Sequence, residues 1–339
     1  MNEEVVSVII PMYNAASYVG RCLESVLNQD YPADKVEILV VDGASTDSSA
    51  AIVRNFMREN PRIRLLPNPM RRVCHAFNVG IRDSRGSLII FVGCRGVLDP
   101  TFISKSIETL RSVKEASVVG GVVQVGHDRF VSKAIGLALS SPFGVSTATY
   151  RYATKAQFTD TVQFGAYRRE ILEEVGGADE EMIFADDDEL NWRITKAGHK
   201  IYMDPEIKFL YYPRHSIRAL FMQYFGYGRG RAMAVKKHPD KLSLKHPIPS
   251  AFVIFLLFGF VLSLLVPYVW IGYVSILGLY ALLSLAFSAK IAFREGWRLF
   301  PVLPVLFFIL HVSYGLGFLR ELIGGHRPPT PVEAKEDQQ

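Results

Sequence analysis

Asp186, Asp187, Asp188 and Glu189 set four carboxylates side by side ahead of a helical pattern over 190–197 that Gly198 closes. Acids in a first turn compensate the helix dipole, and one or two suffice for that. Four in succession repel one another, so at least one pKa is expected to rise, as suits a proton-accepting base. Asp42 stands where an apolar run stops, just before Gly43. A carboxylate there accepts a hydrogen bond from a ribose hydroxyl or a base N–H, and it also reads simply as a turn aspartate. Asn14 has the same double reading. Arg71 and Arg72 precede a helical pattern that starts at Val73, and Arg95 lies in a loop. A guanidinium binds phosphate oxygens in a bidentate way, while a solvated loop arginine is the plain alternative. Cys22, Cys74 and Cys94 form no C-x-x-C pair, so neither a disulfide framework nor a structural zinc site is expected, and the usage fits a reducing compartment.

The elements that must position these groups follow from the apolar pattern. Residues 5–10 (VVSVII), 36–41 (VEILVV), 63–66 and 87–92 (SLIIFV) read as buried strands. Helical spacing covers 16–28, 48–59 and 73–82, with Ser45, Thr46 and Asp47 available as caps for the second. Strands separated by helices predict an α/β domain with a parallel sheet covered on both faces. Ligands then bind at the carboxyl ends of the strands, here 11–14, 42–45 and 93–95. Neither G-x-G-x-x-G nor G-x-x-x-x-G-K-S/T follows the first strand, so a dinucleotide dehydrogenase and a P-loop NTPase lose their main support.

The chain has 339 residues, of which 49% are hydrophobic and 21% charged, which excludes disorder as its main state. The mean hydropathy of +0.17 is high for a soluble protein and reflects three apolar runs at 251–266, 268–289 and 299–318. Each approaches the length that crosses a bilayer, about 20 residues. Pro267 breaks the first run from the second. Pro301 and Pro304 leave the third open to a re-entrant or interfacial course. The acidic start and the short apolar stretch that follows do not read as a signal peptide. A cytosolic N-terminal domain and two crossings return Lys290, Arg294 and Arg298 to the cytosol, in line with the positive-inside rule; a third crossing sends Arg320, Arg327 and Lys335 outside, which agrees less well. The net charge of +5 fits nucleic acid, anionic lipid or a phosphorylated substrate. Residues 215–246 interleave Arg218, Arg229, Arg231, Lys236, Lys237, Lys241 and Lys245 with aromatic and aliphatic side chains. Beside a membrane span, such a segment reads as an interfacial amphipathic helix at the lipid surface rather than a nucleic-acid site. The expected organisation is a catalytic domain at 1–214, a basic juxtamembrane segment at 215–248, two to three transmembrane helices at 249–320 and a polar tail at 321–339.

As a set, the loops resemble a known family. Pro11-Met12-Tyr13-Asn14 after the first strand, and Val41-Asp42-Gly43-Ala44-Ser45 after the second, are similar to the opening of the family-2 inverting glycosyltransferases. Four later segments resemble the succinoglycan-type exopolysaccharide branch of membrane glucosyltransferases. They are Ser141-Pro142-Phe143-Gly144-Val145, the run from Asp160 to Glu170, Asp187-Asp188-Glu189-Leu190-Asn191-Trp192-Arg193, and the run from Gln223 to Arg231. The resemblance implies a GT-A fold, a Rossmann-like nucleotide-diphospho-sugar transferase domain followed by transmembrane helices at the inner membrane, with the catalytic domain cytoplasmic. It implies that Pro11, Tyr13, Asn14 and Asp42 hold the base and ribose of a nucleoside-diphosphate sugar. Asp187 would deprotonate the acceptor hydroxyl for in-line attack. Asp188, Gln223, Arg229 and Arg231 would lie near the diphosphate or the acceptor, a polyprenyl-phosphate-linked or saccharide group. A processive, exporting synthase is disfavoured, because the Gln223 element lacks its usual Trp and the apolar runs are too few for a channel.

One departure from the family stands at the end of the fourth strand. The family places an Asp-x-Asp or Asp-x-His motif there, which binds a divalent cation (Mg or Mn) bridging the donor diphosphate. The sequence has Gly93-Cys94-Arg95-Gly96, and Asp99 reads as part of a turn before Pro100. A magnesium site needs oxygen ligands, so the family's metal dependence is in doubt here. Two readings stand. Either Arg95, assisted by Arg71 and Arg72, replaces the cation on the diphosphate, or the domain has lost transfer and serves as a binding or scaffold subunit.

Overall fold

The computed structural model describes residues 4–127, 129–145, 149–241, 243 and 245–324. The polar tail expected at 321–339 therefore lies outside the described residues from 325 on, with Arg327 and Lys335. The described chain divides into two units, one of residues 4–124 and 149–212, the other of 125–145 and 213–324.

In the first unit the order is β1 (Val6–Met12), α1 (Val19–Leu27), β2 (Val36–Asp42), α2 (Ser49–Glu59), β3 (Ile63–Pro67), α3 (Val73–Asp83) and β4 (Leu88–Phe91). Next come β5 (Gly96–Leu98), α4 (Phe102–Ser112) and β6 (Ala116–Val125). After α5 (Phe130–Leu139), which belongs to the second unit, follow β7 (Gln157–Thr159), β8 (Ala166–Arg168), α6 (Arg169–Glu174), α7 (Asp186–Lys196) and β9 (Lys200–Tyr211). The sheet runs β3-β2-β1-β4-β8-β6-β9-β5, with β7 paired to β9. Strands β1 to β4 are parallel, as their apolar runs and intervening helices predict. The other half is not: β8 is antiparallel to β4 and to β6, and β5 and β7 are antiparallel to β9. The sheet is therefore mixed. Three of these strands have three residues each, too short to carry a period in the sequence.

Successive residues of each central strand face opposite sides. Val8, Ile10, Ile38, Val40, Leu88 and Ile90 meet α1 and α4, whereas Ile9, Val41, Ile89 and Phe91 meet α3, α6 and α7. Both faces are thus covered, and the loops at the carboxyl ends of β1 to β4 are left at the edge of the sheet.

The second unit holds α5, α8 (Ile217–Lys237) and three apolar helices at Ile248–Leu265, Val269–Glu295 and Leu303–Ile323, each long and apolar enough to cross a membrane. Pro267 separates the first two, as expected. Pro304 falls in the first turn of the third, where its missing N–H costs nothing, so neither proline bends that helix. Residues 125–145, read from sequence as part of a domain at 1–214, fall in this unit. Ala134, Ile135 and Leu139 of α5 pack with Leu303, Leu306, Phe307 and Leu310 of the third helix. One face of α8 is packed within this unit. Leu220, Tyr224, Gly226, Gly228, Gly230 and Met233 are all buried, and α8 packs against the third apolar helix. The approach is glycine-mediated. A Cβ on Gly228 would overlap the Tyr314 carbonyl, and one on Gly317 would overlap the Phe225 carbonyl.

Candidate active site

The ends of β1 and β2 are tied to each other by side chains. Gly43 N donates to Met12 O at 2.7 Å. Asn14 N donates to Ser45 Oγ at 3.0 Å, and Ser45 Oγ and N donate to Asp42 Oδ1 at 2.6 and 3.1 Å. Asn14 Oδ1 in turn accepts from Thr46 N at 2.8 Å. Ser45 and Thr46 are thereby spent on the loop rather than on capping α2. The loop after β3 joins the same group: Asn68 N donates to Asp42 O at 2.8 Å, and Arg71 N to Asn68 O at 3.1 Å. The Arg71 guanidinium lies 5.9 Å from the centre of the Tyr13 ring.

The end of β4 closes in a turn, Gly96 N to Gly93 O at 2.8 Å. Gly96 must lack a side chain because the Phe164 ring fills the space a Cβ would take. Cys94 Sγ donates to Pro11 O at 3.2 Å, which fixes the turn against β1, and burial pushes its thiol up to about 12. Arg95 is held at both ends. Its carbonyl accepts from Tyr212 N at 3.0 Å, and its guanidinium lies 4.3 Å from the centre of the Tyr18 ring, in cation–π range. Asn14, Ala44, Arg71, Phe164 and Ala185 all adopt positive φ, between 45° and 60°. Such backbone is costly for residues with a Cβ, and here it is concentrated in the loops at this edge and just before α7.

Ala185 turns the chain into α7, and the four acids expected ahead of the helix form its first turn. They divide into different roles. Glu189 is fully buried and bonded to Arg193 at 2.8 Å; Arg193 Nη2 donates onward to Gly177 O at 2.6 Å, a structural pair. Asp187 Oδ1 accepts from Asp188 N at 2.8 Å. Asp186 buries its Oδ2, and its pKa is pushed up to about 7, first by that burial and then by the charge of Asp187, with Glu189 adding to it. The raised acid foreseen from repulsion is thus found at Asp186, with burial as the larger cause. The start of α7 is tied to β8 through Tyr167 OH, which donates to Asn191 Oδ1 at 2.9 Å. The preceding loop is tied to α3, where Arg72 Nη1 donates to Glu180 O at 3.1 Å and Cys74 Sγ to Met182 O at 3.3 Å.

Pro11, Tyr13, Asn14, Asp42, Arg71 and Arg95 therefore share one edge of one unit with the helix start that carries Asp187 and Asp188. Gln223, Arg229 and Arg231 belong to α8 in the other unit. There Gln223 Nε2 donates to Tyr227 OH at 3.1 Å, and Arg229 forms an ion pair with Glu321 at 3.2 Å. Sequence reasoning missed Tyr150 and Arg151. Arg151 is only 8% exposed, 5.4 Å from the Tyr150 ring and 5.9 Å from the Tyr211 ring. No periodicity or motif marks them; the unusual run Tyr150-Arg151-Tyr152 is their one signal.

The Gly93–Gly96 turn does not fit a divalent cation. Glycine offers no ligand, the Cys94 thiol is buried and turned to Pro11, and Arg95 is itself cationic. Among the described residues no three His, Cys, Asp or Glu side chains come together to hold a metal ion.

Known proteins agree with this architecture. The model of Glycosyl transferase family 2 matches residues 7–176. The dolichyl N-acetyl-alpha-D-glucosaminyl phosphate 3-beta-D-2,3-diacetamido-2,3-dideoxy-beta-D-glucuronosyltransferase of Methanococcus voltae is 29% identical over 328 residues, 95% of this chain and 98% of its own. The succinoglycan biosynthesis protein ExoA of Rhizobium meliloti is 29% identical over 322 residues, 94% and 96% of the two chains. The fold matches that of the mannosyltransferase PcManGT from Pyrobaculum calidifontis, solved with GDP-Man and Mn2+. The TM-score is 0.65 at 18% identity, over 95% of this chain and 88% of that one.

Proposed function

We propose, for a chain that belongs to glycosyl transferase family 2, the transfer of one sugar from a nucleoside-diphosphate sugar to a lipid-linked or saccharide acceptor, with inversion at the anomeric carbon. The observation that carries this reading is the convergence of the β1, β2, β3 and β4 loops with the acid-bearing start of α7 at one edge of the sheet. In this reading Asp42 and Asn14, fixed by Ser45 and Thr46, bind ribose and base beside Pro11 and Tyr13. Arg95 and Arg71 take the diphosphate. Asp187 accepts the proton of the acceptor hydroxyl as its oxygen bonds to the anomeric carbon, and Asp188 lies beside it on the acceptor side. The bond from that carbon to the diphosphate oxygen breaks, its electron pair leaving with the diphosphate. The negative charge gained there meets a guanidinium pre-set against the Tyr18 ring, which is the task a divalent cation performs elsewhere.

The relative from Methanococcus voltae is named for a dolichyl phosphate-linked acceptor, and a polyprenyl-phosphate-linked acceptor is proposed here for the same reason. The three apolar helices are read as membrane spans that hold the transfer unit on the cytoplasmic face. The test is Asp187→Asn in the full chain. Transfer should fall by about 100-fold or more with donor binding retained, since a positioned general base contributes roughly 10²–10⁴-fold. Near-normal turnover would remove Asp187 from the role. Absence of any nucleotide-sugar-dependent rise in melting temperature would favour the non-catalytic subunit instead.

A further inference from the structure

Residues 141–145 form a motif that the transfer reading does not use, and they occupy an unusual place for a loop. The Phe143 ring stacks on Phe287 at 5.2 Å and lies 5.7 Å from the Tyr280 ring. It meets Phe307 and His311 edge-on, both at 5.1 Å. Phe287 and Tyr280 belong to the second apolar helix, about one and about three turns before Lys290, its first charged residue. His311 lies about 12 Å along the third apolar helix from its start at Leu303. The loop is thus level with uncharged parts of both helices. The approach to it is α5, which sets out from the charged end. Lys133 pairs with Glu295 at 2.9 Å, and Ala134, Ile135 and Leu139 then follow the third helix inward. With ten residues α5 is apolar but too short to cross a bilayer.

A loop at hydrocarbon depth is stable only if its backbone is satisfied without water. Ser140 N and Ser141 N donate to Gly136 O and Ala138 O at 3.0 and 3.2 Å. Gly144 N and Val145 N donate to Ser141 O at 2.9 and 3.0 Å. Phe143 N donates to Ser141 Oγ at 3.3 Å, and Pro142 has no N–H. The Phe143 carbonyl accepts from His311 Nε2 at 2.8 Å. Because a carbonyl only accepts, Nε2 carries the proton, and Nδ1 accepts from Tyr280 OH at 2.9 Å. An ionisable side chain inside a span is costly and is retained for a task, and the task here is the loop carbonyl.

We propose that residues 130–145 form a re-entrant element seated among the acyl chains of the bilayer beside the second and third spans, with His311 as the donor that closes its backbone there. This rests on reading the apolar helices as spans. The test uses the full chain in phosphatidylcholine–phosphatidylglycerol vesicles, spin-labelled at Pro142→Cys, with Leu282→Cys and Arg298→Cys as references for lipid and water. All three positions are exposed, and the three native cysteines are buried. The Pro142 label should collide with oxygen more than with a water-soluble nickel chelate, as at Leu282, and the order should reverse at Arg298. A nickel-accessible Pro142 label beside a shielded Leu282 label overturns the proposal. Nickel access at both removes the reading of spans itself. Added to Pro142→Cys, His311→Leu should bring the label into water, and His311→Gln, which keeps a donor and an acceptor, should leave it shielded. A shielded label in a folded leucine variant overturns the part assigned to His311. If the leucine variant does not fold, the glutamine variant decides: a shielded label supports that part, and a label in water overturns it.

Discussion

Asp186 and Asp187 are sequence neighbours with different surroundings, and the difference is measurable as stability. Unfolded, Asp186 ionises near 3.8; folded, near 7, chiefly because Oδ2 is buried. A group whose folded pKa is raised gives its full stability below the unfolded value and loses it as pH rises through the folded value. The loss therefore falls between about pH 4 and about pH 7. Replacing the carboxyl by an amide removes that penalty. Asp186→Asn should be as stable as the wild type near pH 4, and more stable near pH 8 by on the order of 1–3 kcal/mol. The measurement is the melting temperature of both proteins across that range. A difference that does not grow with pH would show that Oδ2 is not buried as described. The sequence made a raised carboxyl legible as a consequence of four adjacent acids, but not which one. That depends on the Ala185 turn and on packing beneath α7, which no spacing encodes.

At the scale of elements, the apolar strands β1 to β4 and the helices between them were legible because each run is long enough to show a period. The three-residue strands β5, β7 and β8 were not, and with them went the antiparallel half of the sheet. The apolar helices were visible as runs, with their ends shifted by a few residues. What the sequence concealed was the partner of each. The basic and aromatic residues of α8 suggested a lipid surface, and its glycines bring another side of it against the third apolar helix. Two glycines test that packing. Gly317 meets the Phe225 carbonyl, while Gly272 on Val269–Glu295 has nothing within 4 Å. Gly317→Val should lower stability by roughly 1–3 kcal/mol through overpacking, and Gly272→Val should change it little. Melting curves in detergent micelles check this. Equal tolerance at both positions would mean that α8 and the third helix do not pack backbone to backbone.

For the whole molecule, the division into units changes how the protein must be handled. A fragment ending near residue 246 lacks the third apolar helix that both α5 and α8 pack upon, so the second unit is kept whole only in the full chain. The loops that meet at this edge were legible in the sequence as a set, because Asn14, Asp42 and Asp187 stand at element ends. Arg151 was not, because its environment is assembled from β9 and the turn at 149–151. Central to the proposed transfer is a nucleoside diphosphate held by fixed guanidinium groups rather than by a metal ion. The direct measurement is transfer from nucleoside-diphosphate sugars by membranes containing the full chain, with and without a chelator, for the wild type and Arg95→Ala. Transfer undiminished by chelator, and reduced about 100-fold or more in Arg95→Ala, is the predicted result. Transfer abolished by chelator and restored by Mg2+ or Mn2+, with Arg95→Ala close to the wild type, would contradict it.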